Sequence, residues 1–110
     1  MKIKGIGVDL ENISRIRCSA DKKNFYKKIF TKKEIKYCLS KSNPYQHFAA
    51  RYCAKEAFAK ATDEKIKDLK DIEIVNDLNG RPHIKYKNFK VHLSLSHTKD
   101  IAVAFIIIEK

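Results

Sequence analysis

From Ile3 to Leu10 the chain alternates. Ile6, Val8 and Leu10 fall on one side of a predicted strand, and Gly5, Gly7 and Asp9 on the other. The second side leaves bare backbone beside one carboxylate, with room for a bulky charged group next to Asp9. An aspartate at a strand end also commonly serves as a turn residue. The period then lengthens. Ile13 and Ile16 mark a short helical face with Arg15 and Arg17 turned outward, and a second helix is predicted over 22–29 with Asp21 as its cap. FTKKEI starts a third: Thr31 and Glu34 have capping-box spacing and Phe30 and Ile35 stand at staple positions, so Glu34 reads as structural.

The longest helical pattern is 45–61, YQHFAARYCAKEAFAKA, rich in alanine and free of glycine and proline. Asn43 is the expected N-cap and Pro44 the first helical residue. Ala50, Ala54, Ala57 and Ala61 share one narrow face that lets a neighbour approach closely, and Phe48, Tyr52, Phe58 and Ala59 form a second apolar arc. The charges fall into two groups, Arg51 with Lys55 and Glu56 with Lys60. The plainest reading of the second is an i,i+4 ion pair worth ~0.3–0.5 kcal/mol.

After Ala61 the period of two returns. IEIVND (72–77) and HIKY (83–86) read as a hairpin around an Asn79-Gly80 turn. KVHLSLSH (90–97) places Val91, Leu93 and Leu95 on one face and His92, Ser94 and Ser96 on the other. IAVAFIII (101–108) is apolar on both faces, which suits a central strand or a subunit contact. The order of elements predicts an α+β domain, a mainly antiparallel sheet packed against a long, largely buried helix.

Length and apolar content (110 residues, 44%) suit a single domain over 1–110. No apolar run approaches the ~20 residues that span a membrane, and the N-terminus lacks the apolar stretch of a signal peptide, so a cytoplasmic protein is expected. Cys18, Cys38 and Cys53 show no C-x-x-C spacing, which argues against a disulfide framework or a zinc site. Net charge is +11. Residues 12–42 alone hold ten Lys/Arg, including Arg15, Lys22, Lys23 and Lys28, against Asp21 and Glu34. Such a field steers an anionic partner, either nucleic acid or an acidic protein.

Candidate chemistry sits at Asp9, at Glu56 with Lys60, and at Ser96-His97. Two carboxylates suit magnesium, which prefers oxygen ligands and keeps waters or substrate oxygens in its remaining positions. A metal so held can clamp a pyrophosphate, with Lys and His balancing the remaining charge. Ser96 and His97 are adjacent on a strand and point to opposite faces, so they do not make a nucleophile–base pair, and no nucleophile elbow is present. A small RNA-binding or ribosome-associated protein would explain the charge, but gives no reason for Asp9, Glu56 and Lys60. The chain also lacks an RNP1-type strand and zinc-finger spacing. A non-catalytic structural subunit would not need the carboxylates.

GIGVDL at 5–10, Arg15-Ile16, FTKKE at 30–34, FAARYCAKEAFAKA at 48–61, NGRP at 79–82 and SLSHT at 94–98 together resemble the holo-[acyl-carrier-protein] synthases, a family of 4′-phosphopantetheinyl transferases, in order and over almost the whole chain. The resemblance implies a magnesium-dependent enzyme that moves 4′-phosphopantetheine from coenzyme A to a serine of apo acyl carrier protein. It releases adenosine 3′,5′-bisphosphate and supports fatty acid biosynthesis. It also implies a homotrimer with its active sites between subunits. Carried over by motif, Asp9 and Glu56 are the metal carboxylates, and Glu56 and Lys60 the catalytic pair. Lys60, Arg81, Pro82, Ser96, His97 and Thr98 meet coenzyme A. Arg15, with Lys22, Lys23 and Lys28 around it, meets the acidic carrier protein, and no nucleic acid or membrane is expected as a partner. Two departures stand out. The segment TDEKIKDLKD after the long helix lacks the glycines many members carry there, and Arg81 stands where lysine is common, which keeps the charge but changes its geometry.

Overall fold

The computed structural model describes residues 1–20 and 24–110. Lys22, Lys23 and the Asp21 cap lie outside the described residues. The elements run β1 (Ile3–Asn12), α1 (Ile13–Ala20), α2 (Phe25–Ile29), α3 (Lys32–Leu39), α4 (Pro44–Ala61), a 3-10 turn (Leu69–Asp71), β2 (Glu73–Asn76), β3 (Pro82–Lys85), β4 (Lys90–His97) and β5 (Ile101–Glu109). The expected α+β class holds, with one refinement. The last four strands do not join one sheet: β1, β5 and β4 form an antiparallel sheet in that order, while β2 and β3 pair only with each other.

Helix α4 packs across β1 and β5. Its alanine face meets the inner side chains of β5, where Ala102, Ala104, Ile106 and Ile108 are fully buried. The glycines of β1 explain how close it comes. A Cβ at Gly5 would stand 1.8 Å from the carbonyl oxygen of Ala61, and one at Gly7 2.0 Å from that of Ala57. The bare face of β1 is therefore filled by the backbone of α4, not kept open for a ligand as the sequence suggested. The apolar side chains of β1 point away from the helix. Ile6 (60% exposed), Val8 (51%) and Leu10 (66%) share the outer face of the sheet with Phe105 (45%).

The capping box at Thr31 and Glu34 is present, with Thr31 N donating to Glu34 Oε1 at 2.8 Å and Glu34 N to Thr31 Oγ1 at 3.2 Å. Glu34 does more than cap. Lys55, fully buried, donates to its Oε1 at 2.8 Å and also to the carbonyls of Leu69 (3.0 Å) and Ile72 (2.8 Å), while Ile74 N donates to Glu34 Oε2 at 2.8 Å. All three ammonium protons are used, so α3, α4, the 3-10 turn and β2 meet at one satisfied ion pair.

Other boundaries shift for local reasons. The second helix starts at Phe25, after a left-handed Asn24 (φ 70°), not at 22. Asn43 stands at the N-cap of α4 without a side-chain bond, and Pro44 opens the helix as expected. Asp77 gathers the β2–β3 loop: its Oδ1 accepts from Asn79 N and Arg81 N, both at 2.9 Å, and its carbonyl from Gly80 N at 2.9 Å. With Gly80 at φ 83°, this is a three-residue bulged turn, longer than a bare Asn-Gly pair would give.

Replacing Gly7 by alanine should be costly, because the added methyl meets helix backbone and not a flexible side chain. Overpacking of this kind costs about 3 kcal/mol or more. A Gly7→Ala urea unfolding midpoint within error of the wild type would show that α4 can lift without penalty.

Candidate active site

β1 ends at the site, and α4 supplies the rest. Asp9 shares the inner side of β1 with the two glycines, so its carboxylate faces α4. Lys60 lies on the last turn of that helix. Its Nζ donates to Asp9 Oδ1 at 2.9 Å and to the carbonyl of Val8 at 3.2 Å. This replaces the expected ion pair with Glu56: the lysine bridges to the strand instead of to the glutamate one turn away. The hydrogen bond to Asp9, reinforced by its charge, raises the Lys60 pKa.

Glu56 is half-buried, one turn before Lys60. Burial pushes its carboxyl above the ordinary 4.5, and the neighbouring Asp9 carboxylate pushes the same way. A hydrogen bond from Tyr52 and the charge of Lys60 pull it back. Tyr52, one turn earlier on α4, is itself raised by burial and by the negative charges of Glu56, Glu11 and Asp9. Neither Tyr52 nor Glu11 was marked as a site residue by the sequence. Glu11 had the signal available, since it shares a strand face with Asp9. Cys53 is buried behind the carboxylates, its thiol pushed up to about 12 by burial and by Asp9 and Glu11, so it is no nucleophile.

The other expected residues lie elsewhere. Pro82 and His97 line a cavity with Gln46, His47 and Arg51, near the start of α4 and on a different face from Asp9, Glu56 and Lys60. Arg81 is exposed on the hairpin loop. Ser96 lies opposite Val103 on the outer face of the sheet, away from the cavity that His97 lines. Thr98 shapes the β4–β5 turn, its Oγ1 accepting from Asp100 N at 3.3 Å and Ile101 N at 3.1 Å. Arg15 is 79% exposed beside Glu11 at 3.5 Å, and Lys28 is exposed on α2. Arg17 caps the ring of Tyr45 at 4.8 Å and so belongs to the α1–α4 contact.

One chain thus gathers two carboxylates and an ammonium on one flank of α4, and two histidines and an arginine on another. Among the described residues, no three His, Cys, Asp or Glu side chains stand close enough to hold a metal by themselves. Nor is any described helix long and apolar enough to cross a membrane.

A family model described as the 4′-phosphopantetheinyl transferase superfamily matches residues 5–106. The chain is 42% identical to the holo-[acyl-carrier-protein] synthase of Thermodesulfovibrio yellowstonii, covering 96% of this chain and 98% of that one. It is 43% identical to the one from Chlamydia caviae, covering 97% and 98%. Among solved structures it superposes on a holo-(acyl-carrier-protein) synthase from Bacillus anthracis in complex with CoA (3′,5′-ADP), with a TM-score of 0.90, 34% identity and coverage of 100% and 99%.

The pH behaviour of Glu56 follows from its neighbours. In protein freed of divalent ions it should titrate above 4.5. A carboxyl whose pKa is raised by folding stabilises the native state fully at low pH. That contribution fades as pH rises from the ordinary value through the raised one. Asp9→Asn should lower the Glu56 pKa part of the way, since burial remains, and flatten this loss. Carbon-detected NMR of the glutamate carboxyls reads both; a Glu56 that titrates at or below 4.5 would contradict the site's geometry.

Proposed function

The chain belongs to the 4′-phosphopantetheinyl transferase superfamily, and we propose that its Asp9–Glu56–Lys60 cluster carries out the transfer characteristic of holo-[acyl-carrier-protein] synthases. The reaction moves 4′-phosphopantetheine from coenzyme A to a serine hydroxyl of apo acyl carrier protein. The observation that carries this reading is the convergence, on one flank of α4, of two mutually repelling carboxylates and a lysine.

The donor set fits magnesium. Asp9 and Glu56 offer oxygen only, and Asp9 raises the Glu56 pKa even though Lys60 pairs with Asp9. Two carboxylates leave the other positions to water and substrate oxygens, the coordination this ion favours. When bound, magnesium neutralises charge on the pyrophosphate. The residues do the remainder. Lys60 is exposed enough to swing from Asp9 to a phosphate oxygen, where its ammonium meets charge developing on the leaving group. Glu56, directly or through a water, takes the proton of the incoming serine. The serine oxygen bonds to the phosphorus that carries pantetheine, the bond from that phosphorus to the bridging oxygen breaks, and adenosine 3′,5′-bisphosphate leaves with the electron pair.

Pro82, His97 and Thr98, with Arg81 at the loop edge, are the coenzyme A side of the site. In one chain they lie on a different face of α4 from Asp9 and Glu56, so a complete site needs a second copy. The outer sheet face is where that copy packs: Ile6, Val8 and Phe105 line one groove with Lys60, so a chain seated there borders the catalytic cluster. A homotrimer, acting in the cytoplasm, closes this arrangement. The basic α1–α2 region, with Arg15 and Lys28 exposed, receives the acidic carrier protein; Lys22 and Lys23 belong to the same stretch of sequence.

Intact-mass analysis of apo acyl carrier protein, incubated with this protein, coenzyme A and magnesium, should show the gain of one phosphopantetheine. Asp9→Ala and Glu56→Ala should each abolish the gain while unfolding cooperatively. Unchanged carrier mass with well-folded wild-type enzyme would refute the reading.

Arg15→Glu should slow transfer mainly through the KM for carrier protein and the association rate, and added salt should shrink the difference from wild type. Coenzyme A affinity should hardly change. Weakened coenzyme A binding with an unaltered carrier-protein KM would place the partner surface elsewhere.

A further inference from the structure

The cavity between α4, β4 and the β2–β3 hairpin contains a buried cation with no counter-ion among the described residues. Arg51 is 2% exposed. Its Nη2 donates to the neutral Asn76 Oδ1 at 2.7 Å, and its guanidinium carbon lies 4.1 Å from the centre of the Tyr37 ring. Its Nε has no partner, and among the described residues no carboxylate stands within ion-pair distance. A buried charge in this state is costly unless something anionic completes it. His47 and His97 line the same cavity, and the Tyr37 and His47 rings stand nearly perpendicular with their centres 5.8 Å apart.

We propose that His47 binds a phosphate group of the nucleotide co-substrate beside Arg51 and takes up a proton as it does so. The inference rests on the coenzyme A reading above and adds to it a residue and a proton. The groups that act on His47 are Arg51 on its own helix, Lys41 just before that helix, His97 from β4 and the neutral Tyr37 from α3, and none of them is acidic. Without an anion, burial and these three cationic or titratable neighbours hold His47 below the ordinary 6.5, so it is neutral near pH 7. A phosphate reverses the sign of the local field and favours the imidazolium. Proton uptake and binding are then linked, and each strengthens the other. The planar guanidinium fork of Arg51 suits a phosphate's paired oxygens, and His47 contributes the donor that appears only when the anion is present.

NMR titration of the His47 imidazole, with and without saturating adenosine 3′,5′-bisphosphate, tests this on the wild-type protein. The His47 pKa should rise by about one unit or more on binding, and adenosine alone should leave it in place. The wild-type affinity should correspondingly gain about tenfold from pH 8 to pH 5.5 beyond whatever change His47→Gln shows over the same range. The ligand's own phosphate ionisation is common to both proteins, so the difference isolates His47. Binding of the bisphosphate without a rise in the His47 pKa, or with the same pH dependence in His47→Gln, would overturn the inference. So would an equal shift with adenosine. Failure of the bisphosphate to bind wild type at any pH would instead overturn the coenzyme A reading.

Discussion

Two glycines on β1 stand where α4 presents its carbonyl oxygens, and nothing larger would fit between strand and helix. This backbone-to-backbone contact sets the height of the helix above the sheet. Because the contact fixes the last two turns of α4 over β1, Lys60 reaches both Asp9 Oδ1 and the Val8 carbonyl, and Glu56 comes under the influence of Asp9. The candidate cluster of Asp9, Glu56 and Lys60 is therefore a consequence of helix–strand packing. It forms where a helix that ends at Ala61 crosses a strand that carries its one aspartate two residues beyond Gly7.

Another face of α4 is held by a different device. Lys55 is buried at a meeting of four elements, with every donor used and Glu34 as counter-ion. Removing either partner would leave an uncompensated charge in the core, a loss on the order of 3–5 kcal/mol. The pair also pins the 3-10 turn at 69–71, so the segment after the helix is tied down where it meets β2. One helix thus uses an ion pair to fix its surroundings and bare strand backbone to fix its height.

Features that depend on neighbouring residues were legible in the sequence: the capping box at Thr31, the alternation of β4, the apolar faces of β5, the alanine-rich helix and its proline start. The sequence also pointed to Asp9, Glu56 and Lys60 by residue type and motif spacing, and the fold brings the three to one flank of α4. What stayed hidden depends on partners distant in the chain. Arg51 and Lys55 look like surface charges on a helical wheel, and both are buried because Asn76, Tyr37, Glu34 and two carbonyls await them. Lys60 skips the glutamate one turn away for an aspartate on β1. The glycine face of β1 announced a close approach but not whether a ligand or a helix would make it. His47 gave no signal of its own, because its importance lies in a carboxylate-free cavity that only the fold assembles.

The separation of the site into two flanks of α4 gives the account its central claim: a working site takes Asp9, Glu56 and Lys60 from one copy and the His97 side from another. The most direct test is complementation. Asp9→Ala and His97→Ala chains, each prepared alone, are unfolded, mixed and refolded together, and carrier-protein modification is measured against each variant refolded by itself. The account predicts that the mixture regains transfer well above either variant, because some clefts then pair an intact Asp9 with an intact His97 from the neighbouring chain. Mixed assemblies that contain both chains yet show no more activity than the separate variants would contradict it.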